Sequence, residues 1–202
     1  MNKTWGIIKS ETINLGFEKS KIYEKNKMAF IEAFNWAQNF IATTVCPIKG
    51  SIIIKQLKSN SPYVRYDLDK LTQEDGTGVF SCLSKERPVF SNGERYETVS
   101  DYRLEKGSNI LFKGEYDGDF EVFFNRYPKP ITALTPESYP IEIDYIYSNL
   151  LPYLMANRLW MDDDMAKAVT YWNLYEDMKN QIEQSTRDTP MSAQVICEGW
   201  EI

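Results

Sequence analysis

Side chains able to do chemistry are few in this chain, and their spacing gives them little to do together. There is no histidine among its 202 residues, which removes the commonest general base and metal ligand and every Ser-His or Cys-His nucleophile pair. Carboxylates, lysines and tyrosines remain. The acidic groupings are Asp162-Asp163-Asp164, Asp117-Gly118-Asp119, Asp67 with Asp69, and Glu74 with Asp75. Paired carboxylates can serve acid-base catalysis when their surroundings separate two pKa values, and clustered ones can hold a divalent cation. Three consecutive aspartates at a helix start cannot converge on one ion. A capping oxygen and negative charge at the positive end of a helix dipole explain them. Asp117-Gly118 between two apolar stretches reads as a hairpin turn. With 29 acidic residues, close pairs arise by chance. The expectation is therefore no catalytic, metal-binding or cofactor-binding residue, and a protein that is not an enzyme.

Cys46, Cys82 and Cys197 are widely separated and lack the close pairs of a zinc site; they read as reduced and structural. A net charge of −6 argues against a sequence-independent grip on nucleic acid, which depends on Lys and Arg neutralising phosphates. No apolar run approaches the roughly 20 residues that span a bilayer. The first residues also lack the apolar core of a signal peptide, so synthesis in a cytoplasm and no membrane partner are expected.

The aromatic residues offer a second kind of chemistry. Trp160, Tyr171, Trp172 and Tyr175 could stack on bases or sugars, but their helical spacing reads first as a packed seam. Tyr63 and Tyr66 with Tyr96 and Tyr102 invite a carbohydrate platform, for which cross-strand aromatic pairing is the plainer explanation.

The elements that position these residues follow from periodicity. Ile143, Tyr147, Leu150, Leu154 and Met161 fall at helical steps within Ile141 to Met161, where Pro152 is expected to kink the helix. After the acidic triplet, Met165 to Ser185 sets Ala168, Tyr171, Trp172, Tyr175, Met178 and Ile182 on one face. Two amphipathic helices joined by so short a turn form a hairpin. Upstream, Trp5, Ile8 and Leu15 predict a first helix closed at Gly16, and Met28 to Ile41 a second, ending before Cys46-Pro47.

Between these helical parts the pattern is that of strands: Ser51 to Leu57, Tyr63 to Asp67, Val79 to Leu83, Arg95 to Leu104, Ile110 to Phe112 and Phe120 to Tyr127. Phe120, Val122 and Phe124 should share one buried face. The proline-punctuated stretch Tyr127 to Pro140 reads as a rigid crossover. The fold class expected is α+β: a helical bundle (residues 1–48 and 135–185) with an inserted antiparallel β-sandwich or barrel (49–134) and an extended C-terminal arm (186–202). The arm carries Met191, Val195, Ile196, Trp200 and Ile202 without helical period. Apolar residues in an extended terminus need a covering surface, so these five are the expected partner-binding residues.

One stretch carries a family likeness. Gly118 to Thr132, with its Phe120…Tyr127-Pro128, is followed by Leu151-Pro152-Tyr153-Leu154-Met155-Ala156-Asn157-Arg158-Leu159-Trp160, the break Asp162 to Asp164, and Ala166, Tyr171 and Tyr175. Together these resemble phage structural proteins of the head-to-tail adaptor type, as in the tail tubular proteins of short-tailed phages. Ala33, Asn35, Ala37 and Ile41 are similar to the second helix of that family, and Tyr66-Asp67-Leu68 to the strand end that follows.

The resemblance implies a virion structural protein of the neck, a homo-oligomeric ring, expected to be a dodecamer, that joins the portal protein to tail or nozzle proteins. DNA would pass through without sequence-specific binding, and an acidic channel suits that passage. The C-terminal arm would dock on the portal or an adjacent subunit. The alternatives are a tail or baseplate component, a carbohydrate-binding module using the β region, and a carboxylate-dependent hydrolase.

Overall fold

Trp5, Ile8 and Thr12 share one helical face, and α1 (Trp5–Asn14) buries all three. Gly16 lies just beyond at φ +105°, the left-handed position that glycine occupies without strain. No side chain caps the start of α1. Instead the amides of Trp5 and Gly6 donate to the carbonyls of Tyr139 and Glu137, each at 2.9 Å, so a distant part of the chain satisfies orphan helix donors. The structure, a computed structural model, describes residues 2–17, 25–85, 88–92 and 96–188. The five expected partner-binding residues Met191, Val195, Ile196, Trp200 and Ile202, and Cys197 with them, lie outside the described residues.

α2 (Lys27–Thr44) buries Phe30, Ile31, Ala33, Phe34, Ala37 and Ile41. The chain then enters β1 (Ile48–Gln56) and β2 (Tyr63–Asp67), followed by a short helix, α3 (Leu68–Glu74). This helix is a departure from the sequence expectation: Asp67 ends the strand and its carboxylate accepts from the amides of Asp69 and Lys70 as an N-cap. Glu74-Asp75-Gly76 consequently closes a helix and does not link two strands.

Next come β3 (Val79–Leu83), β4 (Val89–Asn92), β5 (Tyr96–Thr98), β6 (Tyr102–Glu105), β7 (Asn109–Lys113) and β8 (Gly118–Tyr127). The single strand expected over Arg95 to Leu104 is two strands in different sheets. β2, β7 and β6 form one antiparallel sheet. In the other, β8 pairs along its length with β1 and also with β3 and β4, and β4 pairs with β5. The expected hairpin at Asp117-Gly118 is therefore overturned, because β7 and β8 belong to different sheets and the Asp-Gly turn carries the chain between them. Glu105-Lys106-Gly107 is a true hairpin, with φ +49° and +80° at its last two residues.

The fold is α+β, and two groups of buried side chains hold it. Ile52, Ile54, Phe120, Val122 and Phe124 of one sheet meet Ile110 and Phe112 of the other; the Phe112 and Phe120 rings stack at 4.9 Å. A second group joins α1 and α2 to the C-terminal helices: Ile8, Phe34 and Ile41 pack with Leu150, Leu154 and Tyr175. Asn35 fixes the crossover from β8 by pairing its amide with the backbone of Ile131 in both directions, at 2.9 Å each.

Beyond Pro140 the expected long helix is divided. α4 (Tyr145–Ser148) is one turn, capped by Asp144, and α5 (Leu151–Trp160) starts afresh with Pro152 in its first turn. Pro152 opens a helix where a kink was expected, since a first-turn position asks nothing of its missing N–H. α6 (Met165–Asp188) folds back along α5.

Candidate functional site

The acidic triplet does what capping requires. Asp164 accepts from the Lys167 amide through Oδ1 at 3.2 Å, and its carbonyl takes the Ala168 amide. Among the other carboxylates, Asp67 is the cap of α3, and Thr77 donates to Asp75 at 2.8 Å. Glu74 and Asp75 do share a cleft of about 550 Å³ with Glu121 and the apolar Ile52, Ile53 and Leu71. Asp67, Asp75 and Asp164 have local partners, and their geometry serves turns and helix ends.

Tyr63, Tyr66 and Tyr102 are not brought together as a platform. Tyr63 and Tyr66 are three residues apart in a strand and turn to opposite sides. Tyr66 packs on Phe112 with ring centroids 6.0 Å apart, whereas Tyr63 lies under the Arg103 guanidinium at 4.9 Å. Tyr102 packs against the same buried group as Tyr66, and burial pushes both hydroxyls to higher pKa. Tyr96 is in the other sheet. The register sets Tyr66 opposite Ile110 and Tyr102 opposite Phe112, so tyrosine does not pair with tyrosine.

Cys46 and Cys82 are free thiols. Burial, aided by Asp144 and opposed by Lys49, raises the Cys46 pKa, which disfavours its thiolate. Cys82 departs from the structural role expected of it: it is exposed on β3.

The helical aromatics divide along an unforeseen line. Ala168 and Tyr175 are the buried seam of α6, and Asn157 of α5 closes it by donating to the Ala168 carbonyl at 2.9 Å. Tyr171 turns to α1 and donates to the Leu15 carbonyl. Trp160 stacks on Phe17 at 4.9 Å. Trp172, expected in the hairpin seam, instead meets α2: its ring lies 6.0 Å from Phe40, which stacks on Trp36 at 5.5 Å. The Arg158 guanidinium sits 6.0 Å above Trp36, and its Nη1 is 3.9 Å from the Met161 sulfur.

These half-buried rings border a set of exposed apolar side chains. Met165 is 61% exposed and Val169 50%, and both share the face of α6 that Trp172 occupies. Met161, just past the end of α5, is 36% exposed. Periodicity hides this exposure, because a helix with two apolar faces reads as one broad stripe.

A second apolar feature lies on another side of the helical part. A groove of about 440 Å³ runs between α1, the start of α5 and the later turns of α6, lined by Leu15, Pro152, Tyr153, Met178 and Ile182. Lys3 and Glu11, paired at 2.7 Å, also line it. It joins residues from three distant stretches of chain, and no local motif announces it.

Among the described residues no three cysteine, aspartate or glutamate side chains come together as a cation would need, and no described helix is long and apolar enough to cross a membrane. The chain matches no protein-family model and no curated protein.

Proposed function

We propose that this chain is a ring-forming head-to-tail adaptor of a phage neck, joining portal to tail and acting by assembly. The observation that carries this reading is the apolar surface of Trp36, Phe40, Trp172, Met165 and Val169, on helices otherwise held by a common core. A closed ring needs heterologous contacts, in which one face of a subunit meets a different face of the next. Large apolar side chains on a rigid helical wall supply one such face. Leu134, 93% exposed on the crossover, and Leu57, 82% exposed after β1, are apolar projections elsewhere on the subunit that suit the other.

In this reading α1, α2, α5 and α6 form a bundle, and the two sheets form an inserted sandwich projecting from it. The crossover is held to α2 by Asn35 and by Gln38, which donates to the Lys129 carbonyl at 3.1 Å. That fastening lets the two parts move as one wall. Met191, Val195, Ile196, Trp200 and Ile202 then attach the subunit to the portal or to a neighbour.

Removal of residues 191–202 tests the attachment. The truncated chain should keep its helical circular dichroism and lose binding to the purified portal of the virus that encodes it. Binding of the truncated chain at full strength would remove the arm from this role.

A further inference from the structure

Among the described residues, β1 is paired on one side only. Its nine residues meet β8 without a bulge, from Ile48 opposite Arg126 to Gln56 opposite Gly118. No other described strand joins it, and no described backbone hydrogen bond outside that ladder engages residues 48–56. Alternate N–H and C=O groups of an antiparallel strand turn away from its partner, so the far side of β1 offers a row of them to one more strand.

The cleft lined by Ser51, Ile52, Ile53, Leu71, Glu74 and Asp75 opens on that side. Successive strand residues point to opposite faces, and here Ile52 is buried while Ile53 is half exposed. A cleft that touches three residues in a row therefore borders the edge of the strand and not one face of it. α3 forms the other wall. Its Leu71 packs against the buried group between the sheets, and Glu74 and Asp75 stand at its carboxyl end. A strand edge facing a helix across a cleft suits an extended peptide, which is held there by strand addition.

The side chains around the edge decide which peptide. Two copies of β1 paired antiparallel about Ile52 would set Lys49 opposite Lys55 at both ends, and like charges directly opposite are destabilising. The edge is thus guarded against its own copy. A side chain of an added strand that turned toward α3 would meet apolar Leu71 and then the carboxylates of Glu74 and Asp75. Lysine or arginine matches this sequence of surfaces, with its stem on Leu71 and its cation at the carboxylates. Glu74 lies 3.8 Å from Lys70 in an exposed pair, a contact weak enough to yield. Side chains on the opposite face of the added strand would meet Ile53, which favours apolar residues there.

We infer that the edge of β1 at residues 51–53 binds an extended segment of another protein in which basic and apolar residues alternate. This needs no ring and no portal, so it stands or fails separately from the neck reading.

The probe is a fluorescein-labelled heptapeptide of alternating valine and arginine, followed by anisotropy with the full-length chain. It should bind saturably below about 1 mM, and its counterpart with glutamate in place of arginine should not. Glu74→Lys, at an exposed position, should weaken the arginine peptide about tenfold. Two further peptides carry N-methyl groups on the arginine amides or on the valine amides. One should lose binding and the other keep it, because only alternate amides of an added strand face β1. Equal binding by the two methylated peptides would overturn the inference, as would no saturable binding by the parent peptide. Self-association of the chain that the peptide reverses would overturn it too, by giving the edge to a second copy.

Discussion

Arg126, next to the end of β8, grips Glu142 on the far side of the crossover with both arms of its guanidinium, at 2.9 Å and 3.3 Å. Glu142 also accepts from the Lys129 amide at 2.9 Å. The fork thus joins the last strand to the chain that enters the C-terminal helices. Both side chains are largely withdrawn from water. Burial pushes the Glu142 carboxyl up, but the Arg126 hydrogen bond, the Lys129 amide and the charges of both residues outweigh it and hold the group below the ordinary carboxylate value.

Glu142→Gln should therefore lower stability at neutral pH by about 2 kcal/mol. A carboxyl held low in the folded state stabilises above its unfolded value of 4.5. That contribution disappears as pH falls through the folded value. Urea unfolding at pH 7 and pH 3 checks both statements, with the gap between wild type and variant expected to close in acid.

Tyr175 titrates in the opposite sense. Burial, with Glu176 and Glu183 nearby, raises its hydroxyl to about 12 from an ordinary 10.0. The folded state then holds the phenolic proton more tightly than the unfolded chain does. Stability from this group is complete below pH 10 and falls as pH rises toward 12. At pH 11 wild type should lose about 1.4 kcal/mol that Tyr175→Phe retains. Unfolding midpoints at pH 8 and pH 11 measure it.

Gly114 has no room for a side chain: a Cβ there would stand 1.7 Å from the Ser61 carbonyl oxygen. Its amide donates to Pro62 at 3.0 Å and its carbonyl accepts from Ser59 at 2.7 Å. Gly114→Ala must push these two backbone segments apart, at a cost of about 3 kcal/mol. A thermal melt is sufficient to show the loss.

In the proposed adaptor, Met165→Glu with Val169→Glu should separate assembly from folding. Both positions are exposed, so the stability of the monomer should change by no more than about 0.5 kcal/mol each. Charge on that apolar face should nevertheless prevent subunit association, as read by sedimentation velocity of the variant with and without portal.

The parts legible in sequence are those governed by local rules. Trp5 and Ile8 with Gly16 mark α1, Phe120, Val122 and Phe124 alternate as a half-buried strand, and Asp164 is recognisable as a cap. Pro152 misleads because an N-terminal helix position and a helix interior present the same residue. Only the one-turn α4 and the break at Asn149 and Leu150 distinguish them. Asp117-Gly118 has hairpin chemistry, but strand partnership is a long-range choice, and the Phe112–Phe120 stack joins the two sheets across that turn. α3 escapes a strand-by-strand reading although Leu68, Leu71 and Thr72 have helical spacing, because Asp67 both ends a strand and caps a helix. The exposed apolar face and the groove combine residues from opposite ends of the chain, so neither has a signature in any one stretch.

The most direct measurement of the proposed adaptor role is the native mass of the full-length chain mixed with the purified portal protein encoded beside it. An adaptor should appear as a single complex in which a fixed ring of copies, expected to number twelve, is bound to one portal. A chain that stays monomeric beside an unoccupied portal at saturating concentration would contradict the proposed role.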